Sequence, residues 1–389
     1  MLDYTFVQEV KVLTGAGCVG KIGLVLQEAG YKKAFLVTTK GMVKRGVIGK
    51  IEECCKISGI ETVVFDEILP DPSSKTVDCG AVICKQENCD CVVAVGGGSS
   101  LDAAKGINIL RFNEGSILEY ANKEIHKCSG LITVPTTSGT GSELSNGAII
   151  SDEKNNVKFS IACANCMSEY TILDPELTVS MPAKVTLDTG LDVFSHAVEA
   201  YTSVLSNGMT DLVCETVMET VVRYLPIACM DGNNMEAREK LQMAAAIGGW
   251  MLYNCCAHVG HSFAHVLGAK KHLVHGTACT YGLPSVLRAI SEALPIKVKR
   301  IGEILGVHYV GTETQKEIGE MTAQAYLGFT DAMGLTRASS DMIREDEILN
   351  LAYEIEKEAF AGLCPVKVTK NLAEKIIRES FGKPERCDI

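Results

Sequence analysis

Eight histidines are spread over 389 residues, and six of them either lie between positions 258 and 275 or stand four residues from an acid. Asp192 and His196 are that four-residue pair, which puts a carboxylate and an imidazole on one face of a helix. His258, His261 and His265 follow at helical spacing, and His275 comes shortly after. A single histidine in a helix is usually a core residue satisfied by its neighbours. A carboxylate–imidazole pair plus a dense histidine cluster in the same half of the chain points instead to a metal site. Three neutral imidazoles and one carboxylate suit Fe(II), Zn(II) or Mn(II), and spacing does not choose among them.

A second chemistry is written at Cys91-Val92-Val93-Ala94-Val95-Gly96-Gly97-Gly98-Ser99-Ser100-Leu101-Asp102. The unbroken β-branched run reads as a strand buried on both faces, and the glycines let a ligand approach the backbone. Ser99 followed three residues later by Asp102 reads as a helix cap, with free N–H groups aimed at a phosphate. Thr136-Thr137-Ser138-Gly139-Thr140-Gly141-Ser142-Glu143 also follows an apolar strand, and its hydroxyls suit a ribose, a diphosphate or a carboxamide. Gly15-Ala16-Gly17-Cys18-Val19-Gly20 matches G-x-G-x-x-G, but no acid ends the next strand about 20 positions on. It reads as a turn leading into a helix rather than a pyrophosphate grip. A nucleotide site together with a mononuclear metal site implies metal-assisted hydride transfer on an alcohol or carbonyl.

The elements that must position these groups change character along the chain. Strand candidates at 34–37, 61–65, 91–95, 131–134 and 171–173 alternate with helical stretches at 42–58, 73–87 and 102–110. That alternation implies a parallel, Rossmann-like sheet. Beyond Ser180-Met181-Pro182 the pattern is helical, at 184–204, 210–225, 236–268 and 346–362. The expected organisation is an α/β nucleotide-binding domain over 1–181 and an all-α metal-binding and substrate domain over 182–389, with the site at their junction. Trp250, Met251, Asn254, Cys256 and the loop around Cys364 are candidates to line the substrate pocket.

Composition narrows the function classes. A net charge of −11 and the lack of a basic cluster argue against a nucleic-acid surface. No signal-peptide pattern or membrane-length apolar run is present, so a cytoplasmic protein is expected. The seventeen cysteines, including Cys84, Cys128, Cys214 and Cys229 in apolar segments, read as reduced, buried thiols. Cys163-Ala164-Asn165-Cys166 has no second pair to complete a zinc site.

Several long motifs in order give the whole chain a specific resemblance to the iron-dependent (group III) alcohol dehydrogenases. These are Gly96–Asp102, Pro135–Glu143, Asp174-Pro175-Glu176-Leu177, Gly190–Glu199, His261–Gly268 and His275-Gly276. The resemblance implies metal ligation by Asp192, His196, His261 and His275, with Fe(II) the expected ion and Zn or Mn the alternatives. It places His265 near the nicotinamide as a proton relay. It assigns NAD(P) to Thr39, Gly97, Gly98, Ser99, Asp102, Thr136, Thr137, Thr140, Lys158 and Leu177. The activity it implies is dehydrogenation of short primary alcohols and reduction of the matching aldehydes, by a homo-oligomer.

Three positions depart from the family pattern. Thr39 stands where many relatives carry an Asp that repels a 2′-phosphate, and Lys40 is adjacent, so NADP(H) is expected to be accepted. His258 replaces a usual Gly, either facing the site or packing. Val266 replaces a common Pro. The competing reading is a metal-dependent lyase or cyclase of the dehydroquinate-synthase type that keeps its cofactor bound. It calls for basic residues to hold a phosphorylated substrate, and the helical half offers only Lys270-Lys271.

Overall fold

The computed structural model describes residues 4–384 except Glu124, Lys127 and Asn156. Its strands are β1 (Lys11–Thr14), β2 (Lys33–Val37), β3 (Glu61–Phe65), β4 (Cys91–Gly96), β5 (Leu131–Pro135), β6 (Gly147–Asp152), β7 (Val157–Ala162) and β8 (Tyr170–Leu173). Six of them form one sheet in the order β1-β8-β5-β4-β2-β3, with every pairing parallel. The sheet is covered on both faces, as its apolar runs require. Phe35, Val37, Val92 and Ala94 enter one core; Ala34, Leu36, Cys91, Val93 and Val95 enter the other. Helices α1 (Ile22–Glu28), α2 (Lys40–Lys44), α3 (Val47–Ile57), α4 (Ser74–Gln86) and α5 (Gly98–Phe112) connect the strands.

Local chemistry corrects the expected pattern at three places. The helix expected over 42–58 breaks at Gly46, whose φ of 76° no helix tolerates, giving α2 and α3. Strands β6 and β7 form an antiparallel hairpin that no sequence signal announced. The helix expected over 236–268 breaks at Cys256, where φ is +58°, into α8 (Met235–Cys255) and α9 (Val259–Lys271).

The remaining helices are α6 (Ala183–Thr202), α7 (Gly208–Met230), α10 (His275–Ile290), α11 (Pro295–Ile304), α12 (Gln315–Ala332), α13 (Ile348–Lys357) and α14 (Lys370–Ser380). The chain separates into two compact units. The α/β unit takes Val7–Met181 and also Gly232–Tyr253, most of α8; the helical unit takes the N-terminal segment up to Phe6, Pro182–Asp231 and the chain from Asn254 onward. Within the helical unit, α6 packs on α7 and α10, and α10 on α9. Among the described residues no helix is long and apolar enough to cross a membrane.

Candidate metal centre and cofactor loops

Helices α6, α9 and α10 bring four of the expected ligands together. Asp192 Oδ1 lies 3.7 Å from His196 Nε2, 3.9 Å from His261 Nε2 and 3.6 Å from His275 Nε2. Two donors on one ion at about 2.1 Å stand about 3.4 Å apart in a tetrahedral site, so these three distances to Asp192 Oδ1 are within about half an ångström of that spacing. Asp192, His261 and His275 also offer donor atoms that all lie within 4.8 Å of one another, a group that His196 does not join. The backbones meet closely because glycines allow it. A Cβ on Gly276 would stand 2.0 Å from the Asp188 carbonyl oxygen of α6, so only glycine brings the start of α10 and its His275 this near Asp192.

Asp192, His196 and His261 are buried, while the His275 side chain is 41% exposed, which leaves one open side. Asp192 Oδ1, His261 Nε2 and His196 Nδ1 are buried atoms with no hydrogen-bond partner among the described residues. Unpaired buried acceptors are costly. A divalent cation resolves that cost for Asp192 and His261, so the donor set fits the ion that the sequence implies. Burial lowers the His196 pKa to about 4, against the pull of Asp192, and so keeps the ring neutral as a ligand must be.

Behind these expected ligands lies Glu199, which no sequence reasoning assigned. Its Oε1 accepts from His261 Nδ1 at 2.9 Å, and its Oε2 accepts the backbone N–H of His258 at 2.7 Å and of His261 at 3.3 Å. A Cβ on Gly260 would sit 2.3 Å from Glu199 Oε1, so the start of α9 fits only with glycine there. Burial alone would raise the Glu199 pKa, but His261, His258 and these hydrogen bonds hold it at about 2. With Nδ1–H given to Glu199, His261 presents Nε2 toward Asp192, the arrangement that outer carboxylates impose on metal-binding histidines. Glu199 stands three residues after His196, and that spacing was the one available clue.

His258 is fully buried: its Nε2 shares a 2.8 Å hydrogen bond with Thr202 Oγ1, and its Nδ1 lies 3.4 Å from Glu199 Oε2. His265 is 30% exposed, with Nδ1 3.0 Å from Glu358 Oε1. Its ring stacks on that of His275 with centroids 5.4 Å apart. Glu358 also accepts from Ser262 Oγ at 2.6 Å and Phe360 N at 2.8 Å. Ninety-three residues separate Glu358 from His265, and no local motif announces it.

In the α/β unit the two predicted loops face each other at the ends of β4 and β5. A Cβ on Gly97 would lie 3.2 Å from Thr137 Cγ2, and one on Gly98 2.7 Å from Thr140 Cγ2. The leading amides of α5 have no intrahelical partner. Thr136 Oγ1, Ser138 Oγ and Ser100 Oγ are buried without a partner among the described residues. Bare backbone, free amides and unpaired hydroxyls fit the diphosphate and ribose of a dinucleotide.

Other expected cofactor residues are already engaged. Asp102 is not part of a cap: Gly97 is the N-cap of α5, with no side-chain cap bond. Asp102 accepts instead from Ser142 Oγ at 2.6 Å and Ile149 N at 3.0 Å, tying the second loop to α5. Thr39 Oγ1 caps α2 through Met42 N. Lys158 Nζ lies 2.6 Å from Asp71 Oδ1. Leu177 lines a cleft of about 960 Å³ together with Gly17, Arg45, Lys50 and Asp174. The G-x-G-x-x-G amides have a protein partner, since Gly17 N and Val19 N both donate to Asp174 at 3.0 Å.

Of the pocket candidates, Trp250 is half-buried and packs against Val10, Leu144 and Leu173, whereas Cys364 is buried in the core of the helical unit. Cys84, Cys128 and Cys214 are buried free thiols, but Cys229 is only half-buried.

Residues 9–175 match the iron-containing alcohol dehydrogenase family, and residues 186–381 match the C-terminal part of the same family. The chain belongs to the iron-containing alcohol dehydrogenases. Among curated relatives of this family, choline dehydrogenase of Bacillus subtilis is 35% identical over 83% of this chain and 80% of its own. The NAD-dependent methanol dehydrogenase of Bacillus methanolicus is 32% identical over 90% of this chain and 91% of its own. Among solved structures, a 1,3-propanediol oxidoreductase superposes with a TM-score of 0.93 at 30% identity, covering 98% of this chain and all of that one. As a member of the family the protein is a metal-dependent oxidoreductase acting on alcohols.

Proposed function

We propose that the protein interconverts short primary alcohols and aldehydes with a nicotinamide dinucleotide. Asp192, His196, His261 and His275 hold a divalent ion, Fe(II) in the first instance. The observation that carries this reading is the convergence of three imidazole nitrogens on one unpartnered, buried carboxylate oxygen, Asp192 Oδ1. When bound, the ion supplies polarisation of the reacting oxygen and the nicotinamide supplies the hydride site.

The protein's own groups do the rest. Glu199 fixes the His261 tautomer. Glu358 fixes Nδ1 of His265 as a donor, which leaves Nε2 to take the proton released by an alcohol or to return it to a carbonyl. Gly97, Gly98 and Ser99 present backbone to the diphosphate, Thr136, Thr137 and Thr140 present hydroxyls to the rest of the cofactor, and Asp102 is a positioning residue for that loop.

We further propose that NADP(H) is accepted. Thr39 offers no carboxylate to a 2′-phosphate. Lys40 Nζ sits 2.9 Å from Glu67 Oε1 and is 69% exposed, so a 2′-phosphate would compete with the Glu67 carboxylate for a cation already at the surface beside Thr39.

The test is oxidation of NADPH and NADH with a panel of short aldehydes after anaerobic loading with Fe(II) and, separately, Zn(II). Metal-dependent turnover is expected. Tight cofactor binding with no turnover under any metal would overturn the dehydrogenase reading. A kcat/KM preference for NADH above about tenfold, which is about 1.4 kcal/mol, would overturn the NADP(H) proposal.

A further inference from the structure

Cys279 lies one turn after His275 on α10 and is 1% exposed. It packs against Ala264 and Ala278, so the site is dry on that flank. Its Sγ is 3.7 Å from His275 Nε2. It also falls within a group of donor atoms, with Asp192, His261 and His275, that all lie within 4.8 Å of one another. A sulfur at about 2.3 Å and a nitrogen at about 2.1 Å on one five-coordinate ion stand about 3.1 Å apart at 90° and about 3.8 Å apart at 120°. The observed spacing therefore matches shared coordination as well as the imidazole–carboxylate spacings do. A buried cysteine alone is an ordinary small apolar residue. Here the same few ångströms also hold Asp192 Oδ1 and His261 Nε2, two buried atoms that lack any partner among the described residues.

We infer that Cys279 is an additional donor to the metal ion, giving a centre of hard carboxylate, imidazole and one soft thiolate. On binding, the sulfur–metal bond forms and the thiol proton leaves to solvent; no oxidant or reductant is needed. A thiolate cancels one further positive charge of the ion and shifts the preference of the site from Fe(II) and Mn(II) toward Zn(II). The inference rests on the metal reading above and deepens it.

The experiment is X-ray absorption at the zinc edge on the full-length protein loaded with one Zn(II) per chain, paired with optical spectra of the Co(II)-loaded protein. A sulfur scatterer at about 2.3 Å is expected in the zinc shell, and a thiolate-to-cobalt charge-transfer band in the near ultraviolet. Both should vanish in Cys279→Ser, while one metal per chain is still bound. In a mixture of Fe(II) and Zn(II) that variant should also take up more iron than the wild type.

A wild-type shell of nitrogen and oxygen only overturns the inference while leaving the metal reading intact. So does a sulfur signal that survives in Cys279→Ser. If the wild type binds neither ion, the metal reading falls and this inference falls with it. The wild-type spectrum decides the question even if the variant does not fold.

Discussion

Replacing Glu199 by Gln exchanges one oxygen for an amide nitrogen and should cost the centre most of its metal affinity. In the native site Oε1 takes the His261 Nδ1 proton, while Oε2 takes two backbone N–H groups, those of His258 and His261. Glutamine has a single acceptor oxygen. If that oxygen turns to His261, the amide NH2 confronts two backbone donors in a pocket where residue 199 is 1% exposed. If it turns to the backbone, the NH2 donates to Nδ1, and the ring proton moves to Nε2, the atom 3.9 Å from Asp192 Oδ1. Each orientation forfeits a buried hydrogen bond to a charged acceptor, about 1.5–3 kcal/mol. The expected weakening of metal binding is about 10–100-fold. Anaerobic competition for Fe(II) or Zn(II) against a chromophoric chelator measures it. Thermal unfolding of the metal-free protein, run in parallel, separates a lost fold from a lost site. Glu199→Asp keeps the charge and should retain more affinity than Gln. A folded Glu199→Gln protein with wild-type metal affinity would refute the reasoning.

Three further outcomes follow from the α/β unit. Burial raises the Glu143 pKa from 4.5 to about 7, so the folded state holds that proton more tightly than the unfolded chain does. Stability is then lost as pH rises from 4.5 through about 7. Glu143→Gln should be the more stable protein above that range, by at most about 3 kcal/mol. The advantage should disappear below 4.5, and denaturant unfolding at the two extremes checks it. Asp102→Ala abandons the donors of Ser142 and Ile149 at about 1–3 kcal/mol each; it should raise KM for the dinucleotide more than it lowers kcat, as steady-state kinetics would show. Gly98→Ala places a methyl 2.7 Å from Thr140 Cγ2. Overpacking of about 1–3 kcal/mol should weaken dinucleotide binding about 5–100-fold by calorimetry, with metal content unchanged.

Only part of the candidate metal site was local in the sequence. Asp192 and His196 share a face of α6, whereas His261 near the start of α9 and His275 at the start of α10 were singled out by their clustering and by the resemblance to the family. The sequence disclosed the parallel sheet because strands buried on both faces must be continuous apolar runs. It hid whatever depends on distant partners. Asp102 mimics a cap within its own helix, yet it binds Ser142 and Ile149, 40 and 47 residues away. Glu358 reaches His265 from the far end of the chain. The break after α8 was invisible because Cys256 adopts a positive φ that sequence signals reserve for Gly or Asn. The β6–β7 hairpin was missed because few of its residues are buried and one of those, Asp152, is polar.

The grouping of Gly232–Tyr253 with the α/β unit constrains how this chain can be divided. A cut after Met181 would strand Trp250 and Ala246 on the wrong fragment and open the apolar patch of Val10, Leu144, Met167 and Leu173 to water. The N-terminal piece would then be a poor candidate for independent expression, and the C-terminal piece would carry a largely buried helix without its seat. Recombination between relatives therefore meets a stitched boundary: apart from the first six residues, swapping the helical unit intact takes three crossovers, after Met181, Asp231 and Tyr253, not one. Splitting the chain between residues 181 and 182 faces the same obstacle, because α8 would have to return from the other fragment.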